Sequence, residues 1–170
     1  ITSFGAAVIG DWLYVYSGHV GVAHEYSRMD YLNAFVRMNI AEKGDWQSLA
    51  MGPTMQGTAM VAHDGKLYRI GGLSARNHPE EDQDLHSTAE VSCYDPATDT
   101  WTQLTPLPEA RSSHDAAVLD GKLYVVGGWT LAGGSDNARW LEHGYVADLS
   151  QRPLVWKPLP PKHTTSRALA

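Results

Sequence analysis

The chain has 170 residues, enough for a sizeable core in one domain, and its 16 glycines and 9 prolines are more than a helical bundle uses. A net charge of −6 excludes the clustered lysine and arginine footprint that nucleic-acid phosphates require and favours cationic partners or divalent ions. No stretch approaches the roughly 20 apolar residues of a membrane span, so a soluble chain with neither membrane nor nucleic acid among its partners is expected. In chain order, the first element is a hairpin around Gly10-Asp11, whose second strand reads Trp12-Leu13-Tyr14-Val15-Tyr16 and ends at Ser17-Gly18. After a long loop come a third strand around Val36 and a fourth at Trp46-Gln47-Ser48-Leu49.

The same order then returns twice. Asp64-Gly65-Lys66-Leu67-Tyr68-Arg69-Ile70-Gly71-Gly72 and Asp120-Gly121-Lys122-Leu123-Tyr124-Val125-Val126-Gly127-Gly128 each open with a dipeptide that accepts positive φ and close on a glycine pair. Third strands follow at Val91-Ser92-Cys93-Tyr94 and around Val146, and fourth strands at Trp101-Thr102-Gln103-Leu104 and Trp156-Lys157-Pro158-Leu159. Trp46, Trp101 and Trp156 stand 55 residues apart, as do Val36, Val91 and Val146. A proline follows each fourth strand, ending the sheet and sending the chain to the next repeat.

The double glycine, the tyrosine and a tryptophan after six intervening residues resemble the Kelch motif. Tyr94 and Trp101 fit that spacing in full, whereas Asn39 and Leu149 replace the tyrosine in the other two repeats. The resemblance implies an all-β chain of three four-stranded antiparallel blades set radially about a channel, at 1–54, 55–110 and 111–166, with 167–170 starting a further blade. Three blades cannot close a ring, since propellers carry about four to eight. With neither an initiator Met nor a signal pattern at Ile1, the chain reads as an excised piece, half of a six-bladed ring. Either further sequence or a second copy then completes it, and self-association with no other ligand is one alternative.

Antiparallel strand order puts the tight turns on one face and the long connections, 19–33, 73–88 and 129–143, on the other. Long loops without regular structure are usually functional or mobile. On this face Arg28, Arg76 and Arg139 are candidate clamps for anions or hydroxyls, and Tyr31 and Trp140 candidate stacking surfaces for a sugar or peptide. His78, Glu142 and His143 complete the candidate set, together with Arg111, which either faces the channel mouth or bonds carbonyls between blades. His114 reads as a structural histidine, and Tyr14, Tyr68, Tyr124 and the three tryptophans as packing residues. His78, Asp82, Asp84 and His86 have donor chemistry for a divalent ion, but their spacing matches no metal motif, so no metal or other cofactor is expected.

Cys93 is the sole cysteine, which excludes an internal disulfide and leaves the compartment open. The family resemblance extends to copper-radical oxidases that depend on a cysteine linked to tyrosine, but no ligand set surrounds Cys93, which fits a small buried hydrophobe. No catalytic residue is assigned. The leading expectation is a non-catalytic module that offers its loop face to a protein or glycan. Its rival, implied by resemblance to sugar-acid mutarotases and epimerases, is a carbohydrate enzyme using Glu25, Glu142, His143 and Arg139.

Overall fold

The computed structural model describes residues 1–161, so positions 162–166 of the third repeat and the expected start of another blade at 167–170 lie outside the described residues. The first sheet contains β1 (Gly5–Ile9), β2 (Trp12–Tyr16), β3 (Phe35–Asn39) and β4 (Gln47–Ser48) in that order. The second contains β5 (Ala59–His63) and β6 (Lys66–Ile70). After an inserted hairpin of β7 (Leu73–Ala75) and β8 (Leu85–Ser87), β9 (Val91–Asp95) and β10 (Thr100–Gln103) complete it. The third begins with β11 (Asp115–Leu119) and β12 (Lys122–Val126). Its long connection holds β13 (Trp129–Thr130), β14 (Ala132–Gly133), a 3₁₀ turn at Ser135–Asn137 and β15 (Arg139–Trp140), before β16 (Tyr145–Asp148) and β17 (Lys157–Pro158). Every pairing within these sheets is antiparallel.

The two-residue hairpins form where the sequence predicts them, closing on the pairs Ile9–Trp12, His63–Lys66 and Leu119–Lys122. Asp64-Gly65 and Asp120-Gly121 both have positive φ, the geometry that matches strand twist, whereas in the first turn Gly10 does so without Asp11. The inner strands β1, β5 and β11 lie side by side around the channel.

Two apolar clusters bind the blades. Tyr14, Tyr16 and Phe35 of the first meet Met60, Leu67 and Tyr94 of the second; Tyr68, Ile70, Val91 and Cys93 on the second's other side meet Leu123, Val125 and Ala147 of the third. Alternation along β6 thus sends Leu67 toward one neighbour and Tyr68 toward the other, and both faces of the middle sheet are buried. Each large apolar side chain so buried stabilises by roughly 1.5–3 kcal/mol. The outer sheets are sealed on one side. Val8 at 48% and Leu119 at 62% exposure face away from the middle blade.

Arg69 occupies a position where the other repeats carry Val15 and Val125, and it is buried between the first two blades. It donates to the Tyr16 hydroxyl (2.6 Å), to Ser92 Oγ (3.2 Å) and to Glu90 (3.2 Å), with its guanidinium over the Tyr16 and Trp101 rings. These partners are what make a buried cation tolerable.

Two of the three long connections are not irregular, whereas 19–33 holds only isolated bridges at His19 and Tyr31. Leu73, Ala75 and Leu85 of the β7–β8 hairpin pack with Tyr31 from the first blade and Leu131 from the third, forming a third apolar cluster under the loop face. β14 adds to the edge of β8, so a strand from one blade's connection extends the sheet of its neighbour's.

Candidate functional site

Each blade enters its inner strand through the same local geometry. Ser3, Gly57 and Ser113 precede β1, β5 and β11 at equivalent positions, and all have left-handed backbones at φ 53°, 58° and 49°. Glycine meets that demand without strain; the serines hold it at a cost of about 1–2 kcal/mol each, the kind of backbone expense that marks functional positions. Main-chain bonds join the three, Gly57 N–H donating to Ser3 O (2.7 Å) and Ser113 N–H to Gly57 O (2.8 Å). Beside them, single antiparallel bridges pair Thr2 with His19, Gln56 with Leu73 and Ser112 with Trp129, bringing the start of every long connection to the channel mouth.

The connections are also tied to one another. Asn77 Nδ2 donates to Tyr26 O (2.9 Å), Arg28 N–H to Asn77 O (3.0 Å) and Gln83 Nε2 to His24 O (3.0 Å), locking the first loop on the second. Ser87 N–H donates to Leu131 O (3.0 Å), and Leu131 N–H to Ser87 Oγ (3.1 Å), locking the second on the third.

At the centre lies a cavity of ≈ 440 Å³ lined from all three blades: Tyr26, Trp129, Leu73, Leu85 and Leu131 supply apolar wall, and Ser3, Ser113, Gln56, Gln83 and His24 supply polar groups. Among the described residues its lining holds no carboxylate, lysine or arginine. A narrower cleft of ≈ 270 Å³ opens on the polar side of the β7–β8 hairpin. Alternation puts Ser74 and Arg76 on that side, with His86 opposite Ser74, and Thr54, Thr88 and Glu90 complete the walls. His86 Nε2 lies 2.6 Å from Asp84 Oδ1. Chemically the first hollow suits an uncharged ligand with rings and hydrogen-bonding groups, and the second an ionic one.

The side chains expected to form the site are dispersed. Arg28 and His78 are exposed on loop tips, the His78 amide donating to Glu81 (2.6 Å). Tyr31, expected as an open stacking surface, is buried in the loop cluster, and that burial pushes its hydroxyl up to about 12. Arg76 lines the ionic cleft. Arg111 is fully buried and donates to the carbonyls of Gly127 (3.1 Å) and His143 (3.0 Å), over the Tyr145 ring; both carbonyls belong to its own blade, so these bonds run within the third blade and not between blades. Arg139 is exposed and pairs with Glu109 at 2.5 Å, Glu142 and His143 are exposed, and Trp140 stacks on Trp129 at 5.6 Å between centroids. None of the nine lines the central cavity. Tyr26, Gln56, Gln83 and Trp129, which do, carry little charge; the alternating Leu73-Ser74-Ala75-Arg76 and Leu85-His86-Ser87 would have revealed the hairpin that positions them.

Nearby ionisable groups serve the scaffold. His114 is buried against Arg111, and burial first, then the Arg111 charge, holds its ring down to about 3 while the Ile70 backbone acts the other way. Burial likewise pushes up the thiol of Cys93, which lies opposite Tyr68 in the β6–β9 pair. Among the described residues no group of three or more His, Cys, Asp or Glu side chains is placed to hold a metal ion.

Sheets in strand order, stacked face to face around a common channel, define a segment of a β-propeller. The Kelch motif matches residues 55–108 and 110–146, and the chain belongs to that family. Kelch-like protein 35 of Mus musculus is 30% identical over 127 residues, covering 75% of this chain and 19% of its own length. Kelch-like protein terF of Aspergillus terreus is 32% identical over 162 residues, covering 91% and 33% respectively. The solved structure of YjhT superposes with a TM-score of 0.70 at 20% identity, over 95% of this chain and 52% of that one, a likeness of fold. The chain thus spans between a fifth and a third of these two curated relatives.

Proposed function

We propose that the chain is a non-catalytic binding module whose loop face receives a protein or a glycan, anchored in the central cavity. One observation carries this reading: connections from three blades converge on an uncharged hollow of rings, leucines, amides and hydroxyls. Buried rings supply affinity and the few polar groups fix orientation. Among the described residues that line the cavity His24 is the one imidazole and none is a carboxylate, Glu25 lying in the adjoining groove, so this lining supports binding over the paired acid and base that a sugar-acid mutarotase or epimerase uses.

The ionic cleft favours a second reading, a carbohydrate enzyme, because Arg76, Glu90 and His86 meet in it, with Asp84 behind His86 at 2.6 Å. None of Glu25, Glu142, His143 and Arg139, the residues expected for such an enzyme, is among its lining residues, while Arg76, expected as a clamp, is.

A glycan array and a phage-displayed library of short random peptides test the first reading. Tyr26→Ala and Gln83→Ala should each weaken the recovered binders about tenfold or more, while Arg139→Ala leaves them unchanged. Binders indifferent to both cavity substitutions would overturn it. A sugar acid whose anomers the chain interconverts, at a rate lost in Arg76→Ala, would carry the enzymatic reading instead.

The open flanks call for cover. Trp101 and Trp156 donate their indole N–H groups to Ala50 O (2.8 Å) and Thr105 O (3.2 Å) of the preceding blade, whereas the equivalent Trp46 is 51% exposed. Further blades, from a second copy of the chain, are proposed to complete the ring there.

A further inference from the structure

The acidity of this protein is concentrated on one face. The connections 19–33, 73–88 and 129–143 carry eight carboxylates against three arginines, a net −5 of the chain's −6. Where the first two connections meet, Glu25, Asp30, Glu80 and Glu81 line a groove of ≈ 400 Å³, and among the described residues none of the four forms an ion pair. Two of these carboxylates serve their own loops: Asp30 accepts from the Ser27 amide (2.7 Å) and Glu81 from that of His78 (2.6 Å). Glu25 and Glu80 are exposed, and their carboxylates accept no hydrogen bond from the described residues.

This groove adjoins the central cavity. Tyr26 and Gln83 line both, one side chain from each loop forming the partition. On the same first loop Val22 and Met29 stand 61% and 67% exposed. The two compartments have opposite requirements. A charged group in the neutral cavity loses hydration without gaining a counter-ion, which is costly. A cation in the groove finds carboxylates with no competing lysine or arginine along the walls.

Resting on the binding-module reading above, we infer that the occupant is a basic peptide segment of a partner protein, which sets a neutral, amide or aromatic side chain into the central cavity and an adjacent lysine or arginine against Glu25 and Glu80. Charge complementarity selects this occupant over an acidic peptide, which the face repels, and over a neutral glycan, which leaves the carboxylates unused. Exposed carboxylates act chiefly on encounter and are screened by salt, so they steer the segment while the cavity retains it.

The phage-displayed peptide library separates this inference from the reading beneath it. Recovered peptides should be enriched in lysine and arginine beside a neutral or aromatic residue. As synthetic peptides they should lose about tenfold or more in affinity on Glu25→Gln/Glu80→Gln, a pair that leaves every described hydrogen bond intact. Their affinity should also fall as salt rises from about 0.1 M to about 1 M, where the Debye length shrinks from about 10 to about 3 Å, with a shallower dependence in the double variant. Recovered peptides that are neutral or acidic, a failure to recover any, or affinities unmoved by the double substitution would overturn the basic-segment inference. If such binders still weaken in Gln83→Ala, the loop-face reading survives; if they ignore the cavity substitutions, it falls as well.

Discussion

At the scale of single residues, the interior holds ionisable groups that a repeat pattern does not advertise. His114 is the clearest case, because an imidazole with a folded pKa of about 3 meets an unfolded value near 6.5. Between those values the unfolded chain binds a proton that the folded one refuses. This contribution to stability is therefore complete above about pH 6.5 and is lost as pH falls toward 3, at up to about 1.4 kcal/mol per pH unit. Denaturant titrations from pH 4 to pH 7 should show His114→Gln with a flatter profile than the parent; parallel profiles would refute the assignment. Asp95, Asp99 and Asp148, each lowered first by a side-chain hydrogen bond, act further into the acid range and leave this comparison intact. The structural role of His114 was legible from its place at a blade's start, and Arg111 was left between two roles. Tyr31 was not legible as core, because its burial depends on Leu73 and Leu131 of two other connections, and Arg69 occupies a position where the sister repeats have valine.

At the scale of elements, the joints between strands carry as much specification as the strands. Gly71 (φ 56°) leads from β6 into the loop hairpin, and a Cβ there would overlap the Arg111 carbonyl oxygen and approach His114. Gly128 (φ 85°), the second glycine of the pair that follows β12, is confined in the same way, since a Cβ there would lie 2.6 Å from Ser112 O. Gly71→Ala should cost about 2–4 kcal/mol, since a backbone wall as well as a left-handed conformation opposes the methyl group. Gly121→Ala, equally left-handed but with nothing within 4 Å, should cost only about 1 kcal/mol. Chemical unfolding of both variants checks the contrast, and equal costs would show that the close approach contributes nothing. The twelve blade strands were readable because Gly-rich turns and alternating apolar residues recur at a fixed interval. The β7–β8 hairpin and β14 were missed for the reverse reason: they are short, differ between repeats and are held by a neighbour's strand rather than by their own period.

At the scale of the whole molecule, the middle blade has two sealed faces and its neighbours one each. Light scattering of the chain at micromolar concentration should give the mass of two copies, and Val8→Glu, on an outward face, should return it to one. A stable monomer in the parent would remove the proposed two-copy ring. Closure bears on recognition too, because the central hollow borders the hub, and each added blade brings another connection toward it. The hub itself is tied by Ser3, Gly57 and Ser113 through amide and carbonyl groups common to all residues except proline. Blade pitch at the axle is thus set by main-chain bonds, and side-chain identity enters there only through the left-handed backbone each position adopts, so the outward connections are free to diversify. A repertoire of specificities can be carried on one invariant wheel.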